Sequence, residues 1–426
     1  MLCVVQQNIL AQDKTLLRVK LTPYQREAIF HSTDNKVGYT IKLKNEVKDT
    51  QRGNYYFDVK NDSGISVFHD NGGFAITERS SFKKEINLDK AQLKPGCYEV
   101  TLSLQTNYYK DTIKHFFCYE PEVTAFTDST RPTDFFDFWE EAKRELVNTN
   151  PDFRVVPRSD MSDKFADVYS VQFYSVENII IRGWLSVPKE RGKFPVIYHL
   201  FDLNQPCYPD KQREVATFTI DVRGSGMSAD VLKLNPDDYL IKNSDYKRRF
   251  ILRNVYLDCL RGLDFIYRHS NLKLDTAHVA VMGVGQSAAM AIATTVLDGR
   301  PKGVSIERPS TVDIPNLLKD AEQNITEASP GNTIKNYLSN PYAKTSREAF
   351  ENTWSYFDPL AFASLVRCKF IVGLTLRSPD ASPKCIYHFI NKLTIGRRDI
   401  YVCPSCNNEM NSAFIDLQKI WLHEVF

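Results

Sequence analysis

Charge of either sign is hardly in excess: 54 Lys and Arg against 52 Asp and Glu leave a formal net charge of +2 over 426 residues. The longest basic run of note is Lys247-Arg248-Arg249 in a Tyr-rich segment. The electrostatic footprint of a nucleic-acid binder is missing, and no such partner is expected. No unbroken apolar run reaches the roughly 18 residues that a spanning helix needs, so no membrane span is expected. Histidines number only eight, and no His-Glu or Cys-His cluster suggests a catalytic metal. Neither metal nor cofactor is expected. The nine cysteines, at 3, 97, 118, 207, 259, 368, 385, 403 and 406, are odd in number and irregular in spacing. They do not read as a disulfide framework. Cys403-Pro404-Ser405-Cys406 is the one local pattern. A redox motif would open a helix near the start of a thioredoxin-like unit, and a zinc site would need a second pair, so chance or a local disulfide remains.

What is present, 42% hydrophobic and 25% charged residues, is the balance of a globular protein with material for two to three domains. Residues 1–13 open with Met1-Leu2-Cys3-Val4-Val5 and reach Ala11-Gln12-Asp13. They read either as the remnant of a secretory signal that lacks its basic start or as a frayed first strand. The first implies a periplasmic or secreted protein and the second leaves a cytoplasmic one open. From 14 to 119 the chain reads as short strands, Val37 to Lys44, Asn54 to Lys60, Phe82 to Leu88 and Tyr98 to Leu104. Asn61-Asp62-Ser63-Gly64, Asn71-Gly72-Gly73 and Lys94-Pro95-Gly96 are the expected turns between them. That rhythm predicts an immunoglobulin-like β-sandwich, and Glu120-Pro121-Glu122 reads as the linker behind it.

From 122 to 426 strands and helices alternate. Asp134 opens a helix with Phe135, Phe138, Trp139 and Ala142 on one face. Apolar strands are expected at Val168 to Tyr174, Ile179 to Val187, Val196 to Phe201, Thr217 to Val222, Val279 to Met282, Gly303 to Glu307, Phe370 to Leu374 and Asp399 to Val402. Helices are expected at Leu252 to His269, Gln286 to Leu297 and Ser412 to Glu424. Alternation of this kind predicts a mostly parallel sheet flanked by helices, an α/β domain.

The segment Val279 to Ala288 holds a strand, a tight turn and a helix of small residues. Two chemistries use such a turn. Gly283-x-Gly285-x-x-Ala288, with Glu307 after the next strand, matches a dinucleotide fingerprint, but several strands precede it where a dinucleotide fold places none. The other is a nucleophile elbow, in which a strained turn lifts a serine above the sheet. The dispersed stretches Arg131 to Trp139, Ile181-Arg182-Gly183-Trp184-Leu185-Ser186-Val187-Pro188, Asp221-Val222-Arg223-Gly224-Ser225-Gly226, Tyr256-Leu257-Asp258, Leu263-Asp264-Phe265 and Ser355-Tyr356-Phe357-Asp358 stand around it in order. With them the chain resembles the acetyl xylan esterase and cephalosporin-C deacetylase family, carbohydrate esterase family 7 of the α/β-hydrolases. Leu93 to Tyr98 also resembles a turn that ends the N-terminal β-domain of several relatives.

The resemblance implies a Ser-His-Asp hydrolase of acetyl esters, and it sets that triad on residues unable to do the work. The nucleophile position is Gly285, the acid position Leu376 and the base position Asn408. Gln286 matches its oxyanion neighbour. Asp202-Leu203 stand where the family has Gly-Tyr, so Leu203 is expected to remove part of the oxyanion hole, and the stretch from there to Asp221 is shorter than in relatives. Ser287, two residues past the apex, is the outside candidate for a nucleophile, but inside a first helical turn its hydroxyl is expected to bond backbone. A serine needs a base. His199 lies in a core strand, His388 and His423 on helices, and His269 and His278 with Asp275 at the wrong end of the elbow strand. Asp380 has nothing to orient. The expectation is an inactive pseudo-esterase kept for a carbohydrate-related ligand, such as an acetylated sugar or small ester, or for assembly as a homo-oligomer. An active acetyl esterase with a non-standard site and an adhesion or scaffold module acting through the β-domain are the alternatives.

Overall fold

The computed structural model of the chain describes residues 16–107, 110–123, 131–203, 205–323, 330–343, 345–378, 380–404, 410 and 412–426. The apolar start at 1–13, Cys406 and Asn408 lie outside the described residues. The chain divides into two compact units, residues 1–125 and 126–426.

The first unit contains β1 (Leu17–Pro23), β2 (Ile29–Phe30), β3 (Gly38–Asn45), β4 (Gln51–Asn61), β5 (Ser66–Ile76), β6 (Ser81–Asn87), β7 (Gly96–Thr106) and β8 (Lys110–Tyr119). They form a sheet of order β1-β3-β6 and a second of order β2-β8-β7-β4-β5. Period-two alternation turns Tyr39, Ile41 and Leu43 of β3 and Tyr55, Phe57 and Val59 of β4 inward. Rings meet across the two sheets, Tyr39 against Phe57 and Phe117, and Phe82 against Tyr55 and Phe74.

Three details differ from the sequence reading. Asn71-Gly72-Gly73 is no turn but the middle of β5, where a Cβ on Gly72 would lie 3.0 Å from the Tyr55 hydroxyl, so the glycine admits a neighbouring ring rather than a reversal. Cys97 and Cys118 face each other in the β7–β8 ladder and form a disulfide. Strand register brought them together, which spacing does not reveal. Glu120, in the stretch read as a linker, accepts the Ser32 N–H at 2.6 Å and so holds to the first unit.

The second unit is built on β9 (Arg154–Pro157), β10 (Ala166–Tyr174), β11 (Ile180–Pro188), β12 (Phe194–Leu200), β13 (Ala216–Asp221), β14 (Leu274–Val284), β15 (Gly303–Glu307), β16 (Lys369–Thr375) and β17 (Arg398–Cys403). The sheet order is β17-β16-β15-β14-β12-β13-β11-β10-β9. The six strands β12 to β17 run parallel, and β9, β10 and β11 pair antiparallel at one edge. Helices Ile251–Arg268 and Ser287–Asp298 pack together and on the sheet, and Ser412–Val425 lies on β14 to β16. This is the mostly parallel, helix-flanked sheet that the alternation predicts. Asp275 and His278 lie within the bulged start of β14 rather than in a loop. No helix forms among the described residues between β12 and β13, so His199 stays half-buried on the central strand β12 and stacks at 4.4 Å on the half-buried Phe201 just past its end. Among the described residues no helix is long and apolar enough to cross a membrane, and no group of three or more His, Cys, Asp or Glu could hold a metal ion.

Candidate functional site

Open α/β sheets bind ligands beyond the carboxyl ends of their strands. β14 ends there in the turn that leads into Ser287–Asp298. Gly285 takes φ +61°, the left-handed region, and its N–H reaches the Glu307 carbonyl at 3.0 Å at the end of β15. A Cβ on Gly283 would lie 2.3 Å from the Ser287 carbonyl oxygen. The two glycines therefore serve a tight strand-to-helix turn, and β14 is an interior strand rather than the first of a dinucleotide-binding unit.

The centre of the site is Asp202, on the loop after β12. A Cβ at position 285 would lie 2.5 Å from Asp202 Oδ2, so the carboxylate fills the space of the elbow side chain. The Leu203 N–H donates to Asp202 Oδ1 at 2.8 Å, and the Gln286 N–H lies near enough to the same carboxyl to oppose the rise in its pKa. An elbow hydrolase aims that pair of amides, the one after the nucleophile and one from the loop after an earlier strand, at a developing oxyanion. Here they face an internal carboxylate. The Leu203 donor is a backbone N–H, which survives a change of side chain. Burial raises the Asp202 carboxyl above its usual range and Asp380 adds to the rise, while the two N–H bonds and Arg308 oppose it.

Leu376 follows β16 and is buried, its N–H reaching the Cys403 carbonyl at 3.4 Å. Asn408 lies outside the described residues. Ser287 is fully buried. Its hydroxyl accepts from the Val284 N–H at 2.8 Å and lies 2.8 Å from both the Leu200 and Val284 carbonyl oxygens. It ties three backbone segments together and turns no oxygen toward a ligand. A cavity of about 10 Å³, lined by Leu203, Tyr256, Gln286, Thr311 and Trp354, has room for about one water.

None of the described histidines meets Ser287. His388 pairs with Asp313 at 2.7 Å inside the core and His278 with Asp275 at 2.8 Å, and burial lowers His199. His423 lies exposed on the closing helix, and His269 reaches the Phe265 carbonyl. Asp380 Oδ1 lies 4.0 Å from Arg308 and accepts from the Ser378 hydroxyl. Sequence reasoning missed both Arg308, held at φ +43° beside Glu307, and the place of Asp202. The Asp-Leu pair in place of Gly-Tyr was the available signal for the second.

The Ser355-Tyr356-Phe357-Asp358 stretch supports the loop behind this site. Asp358 accepts the N–H groups of Asp313, Ile314 and Leu360. Burial, then Asp313, pushes its carboxyl up to about 6. A folded value above the unfolded one contributes stability that is full below about pH 4 and lost as pH rises through about 6, roughly 3 kcal/mol in all. Urea unfolding of the chain and of Asp358→Asn from pH 4 to 7 should show the native chain losing that much relative to the always-neutral variant. A difference constant with pH contradicts the assignment.

Residues 122–425 match the family model described as acetyl xylan esterase. Over 437 aligned residues the chain is 21% identical to acetyl esterase Axe7A of Xylanibacter ruminicola, across 94% of this chain and 91% of that protein. Among solved structures, the acetyl xylan esterase from Paenibacillus sp. R4 is similar at TM-score 0.63 and 23% identity. Acetyl xylan esterase 1 from Thermoanaerobacterium sp. is similar at 0.61 and 21%. Each likeness covers 70% of this chain and 96% of the other. At such identities the structures speak for the fold, which is the α/β-hydrolase fold.

Proposed function

This chain belongs to the acetyl xylan esterase family, and we propose that within it the chain is a catalytically silent member, retained for binding a carbohydrate-related ligand or for assembly. One observation carries the reading: the Asp202 carboxylate takes the Leu203 amide, stands beside the Gln286 amide and fills the space of the elbow side chain. An ester carbonyl arriving there would find a donor engaged and a carboxylate in its place. Gly285 supplies no nucleophile and Leu376 no acid. Fold and activity are separable, and this site argues against the activity usual to the fold. The ligand we favour is an acetylated sugar or another small ester, and homo-oligomers are the assembly we favour.

The two packed sheets of the first unit are read here as an immunoglobulin-like sandwich. The Cys97–Cys118 disulfide and the disulfide-bonded Cys403 support an oxidising compartment, periplasmic or secreted. The test is hydrolysis of nitrophenyl acetate and acetylated xylo-oligosaccharides by the full chain. Rates equal to buffer are expected, with Ser287→Ala altering melting temperature but not rate. Turnover of about 1 s⁻¹ or more that Ser287→Ala abolishes overturns the proposal in favour of an active esterase with a non-standard site.

A further inference from the structure

A cleft of about 500 Å³ opens in the first unit, at the end of the β1-β3-β6 sheet. Its walls come from the connection between β1 and β3, from Thr40 of β3 and from Glu85 of β6, which are register partners. Small-molecule pockets are mostly apolar, but this lining is hydroxyl, amide and charge: Tyr24, Gln25, Thr33, Asp34, Asn35 and Lys36 complete it.

The charged groups are already spent. Asp34 accepts from Gln25 Nε2 at 2.7 Å on one oxygen and from the His31 N–H at 2.8 Å on the other. Glu85 accepts from Lys83 at 3.2 Å and from Lys36 at 3.3 Å, again one on each oxygen. A metal ion would find no carboxylate oxygen without a donor. An anion would face two carboxylates, and the one lysine in the cleft is already paired. The neutral groups are the ones left open. Thr33 and Asn35 are exposed and Thr40 half-buried, so their polar side chains stand open to a ligand, and the Tyr24 hydroxyl alone is buried with no partner. A buried polar group without a partner costs stability unless something satisfies it. The loop that carries them is held still. Lys90 donates to the Ser32 and Asp34 carbonyl oxygens at 2.8 and 2.9 Å, and Glu120 accepts the Ser32 N–H. Partners fixed before the ligand arrives cost little ordering on binding.

We propose that this cleft is a binding site for a neutral saccharide, with Tyr24, Thr33, Asn35 and Thr40 as its hydrogen-bonding groups. Sugar hydroxyls donate and accept in alternation, as do phenol, hydroxyl and amide side chains, and a neutral sugar neither needs nor opposes the paired charges. The site lies in the first unit and is independent of the silent state of the elbow.

The test is isothermal titration of the full chain with xylo-, cello-, manno- and galacto-hexaose, repeated on Tyr24→Phe, Asn35→Ala and Asp202→Gly. Tyr24→Phe keeps the ring and removes an unpartnered buried hydroxyl, and the exposed Asn35 amide bonds nothing among the described residues, so both cleft variants should melt no lower than the native chain. At least one saccharide should bind saturably, with Kd below about 1 mM. Each cleft variant should weaken it about five-fold, the size of one net hydrogen bond, while Asp202→Gly leaves it unchanged. Binding of none of the four, or binding with Kd unmoved in both cleft variants, or binding that follows Asp202→Gly instead, would overturn the proposal.

Discussion

A chain carrying Gly285→Ser, Asn408→His and Leu376→Asp together is expected to stay at buffer rates on nitrophenyl acetate as long as Asp202 remains. Adding Asp202→Gly to those three changes should then release hydrolysis by at least about 10²–10³-fold, because loss of one oxyanion donor alone costs that much and Asp202 takes up the Leu203 N–H. The restored serine would have its Cβ 2.5 Å from Asp202 Oδ2, so carboxylate and hydroxyl compete for one space. A second negative charge would also oppose the oxyanion of the tetrahedral intermediate. Triad members act as a unit, a serine without its base remaining protonated. Variants lacking either Gly285→Ser or Asn408→His should therefore be silent with or without Asp202, and Leu376→Asp should raise the rate by holding the imidazole. Two folded-state costs are expected. Gly285 sits at φ +61°, where other residues are strained, and an aspartate at the buried position 376 without a histidine partner would cost about 1–3 kcal/mol. Asp202→Gly alone should offset part of this at neutral pH, since burial holds that carboxyl above its ordinary range. All sixteen combinations of the four changes (2 × 2 × 2 × 2), each checked by melting temperature, decide it. A triple variant as active with Asp202 as without it would show that the carboxylate yields to substrate.

The elbow was legible in the sequence because parallel strands buried on both faces leave continuous apolar runs. Val279 to Met282 and Gly303 to Glu307 were found this way, and the small residues after Gly285 follow from close helix-to-sheet packing. The substitutions at 285 and 376 were legible only through the family resemblance. The position of Asp202 was not. An aspartate after a strand reads as a loop residue until the fold carries it across to Gly285, eighty-three positions later in the chain (285 − 202). Backbone donors have no letter in the sequence at all. A change of side chain at Leu203 leaves its backbone N–H in place. In the first unit the alternating strands β3, β4 and β7 were clear. The long β5 was hidden by Asn71-Gly72-Gly73, a turn signal that tertiary packing against Tyr55 overrides. The Cys97–Cys118 bond depended on hairpin register and could not be read from spacing.

The stretches that carry the family resemblance do work apart from catalysis, and removing Arg223 should show it at large cost. Arg223 comes from Asp221-Val222-Arg223-Gly224-Ser225-Gly226 and Asp258 from Tyr256-Leu257-Asp258, two of the dispersed stretches. Arg223 Nε reaches Asp258 Oδ2 at 2.9 Å and Nη2 reaches Oδ1 at 2.8 Å, a bidentate pair, with the Arg223 N–H on Oδ2 at 3.1 Å. Arg223 is 2% exposed and Asp258 0%. The same guanidinium donates to Glu177 at 2.8 Å and to the Val176 carbonyl, and Tyr239 donates to the Arg223 carbonyl. The pair thus ties the turn after β13 to the helix Ile251–Arg268, and Gly226 lets that turn fold back: a Cβ there would meet the Asp221 carboxylate. Taking away one member of a buried pair strands the other charge in a medium that solvates it poorly. Arg223→Met and Asp258→Leu are each expected to cost about 3–5 kcal/mol, a large share of the roughly 5–15 kcal/mol of an ordinary fold. The double variant should recover much of that loss, because both charges then leave together and the pair's own net worth is small. Urea unfolding of the native chain, the two single variants and the double variant forms the cycle. Losses in the double variant that simply add, with no coupling, would mean that Arg223 is held by Glu177 and the Val176 carbonyl rather than by Asp258.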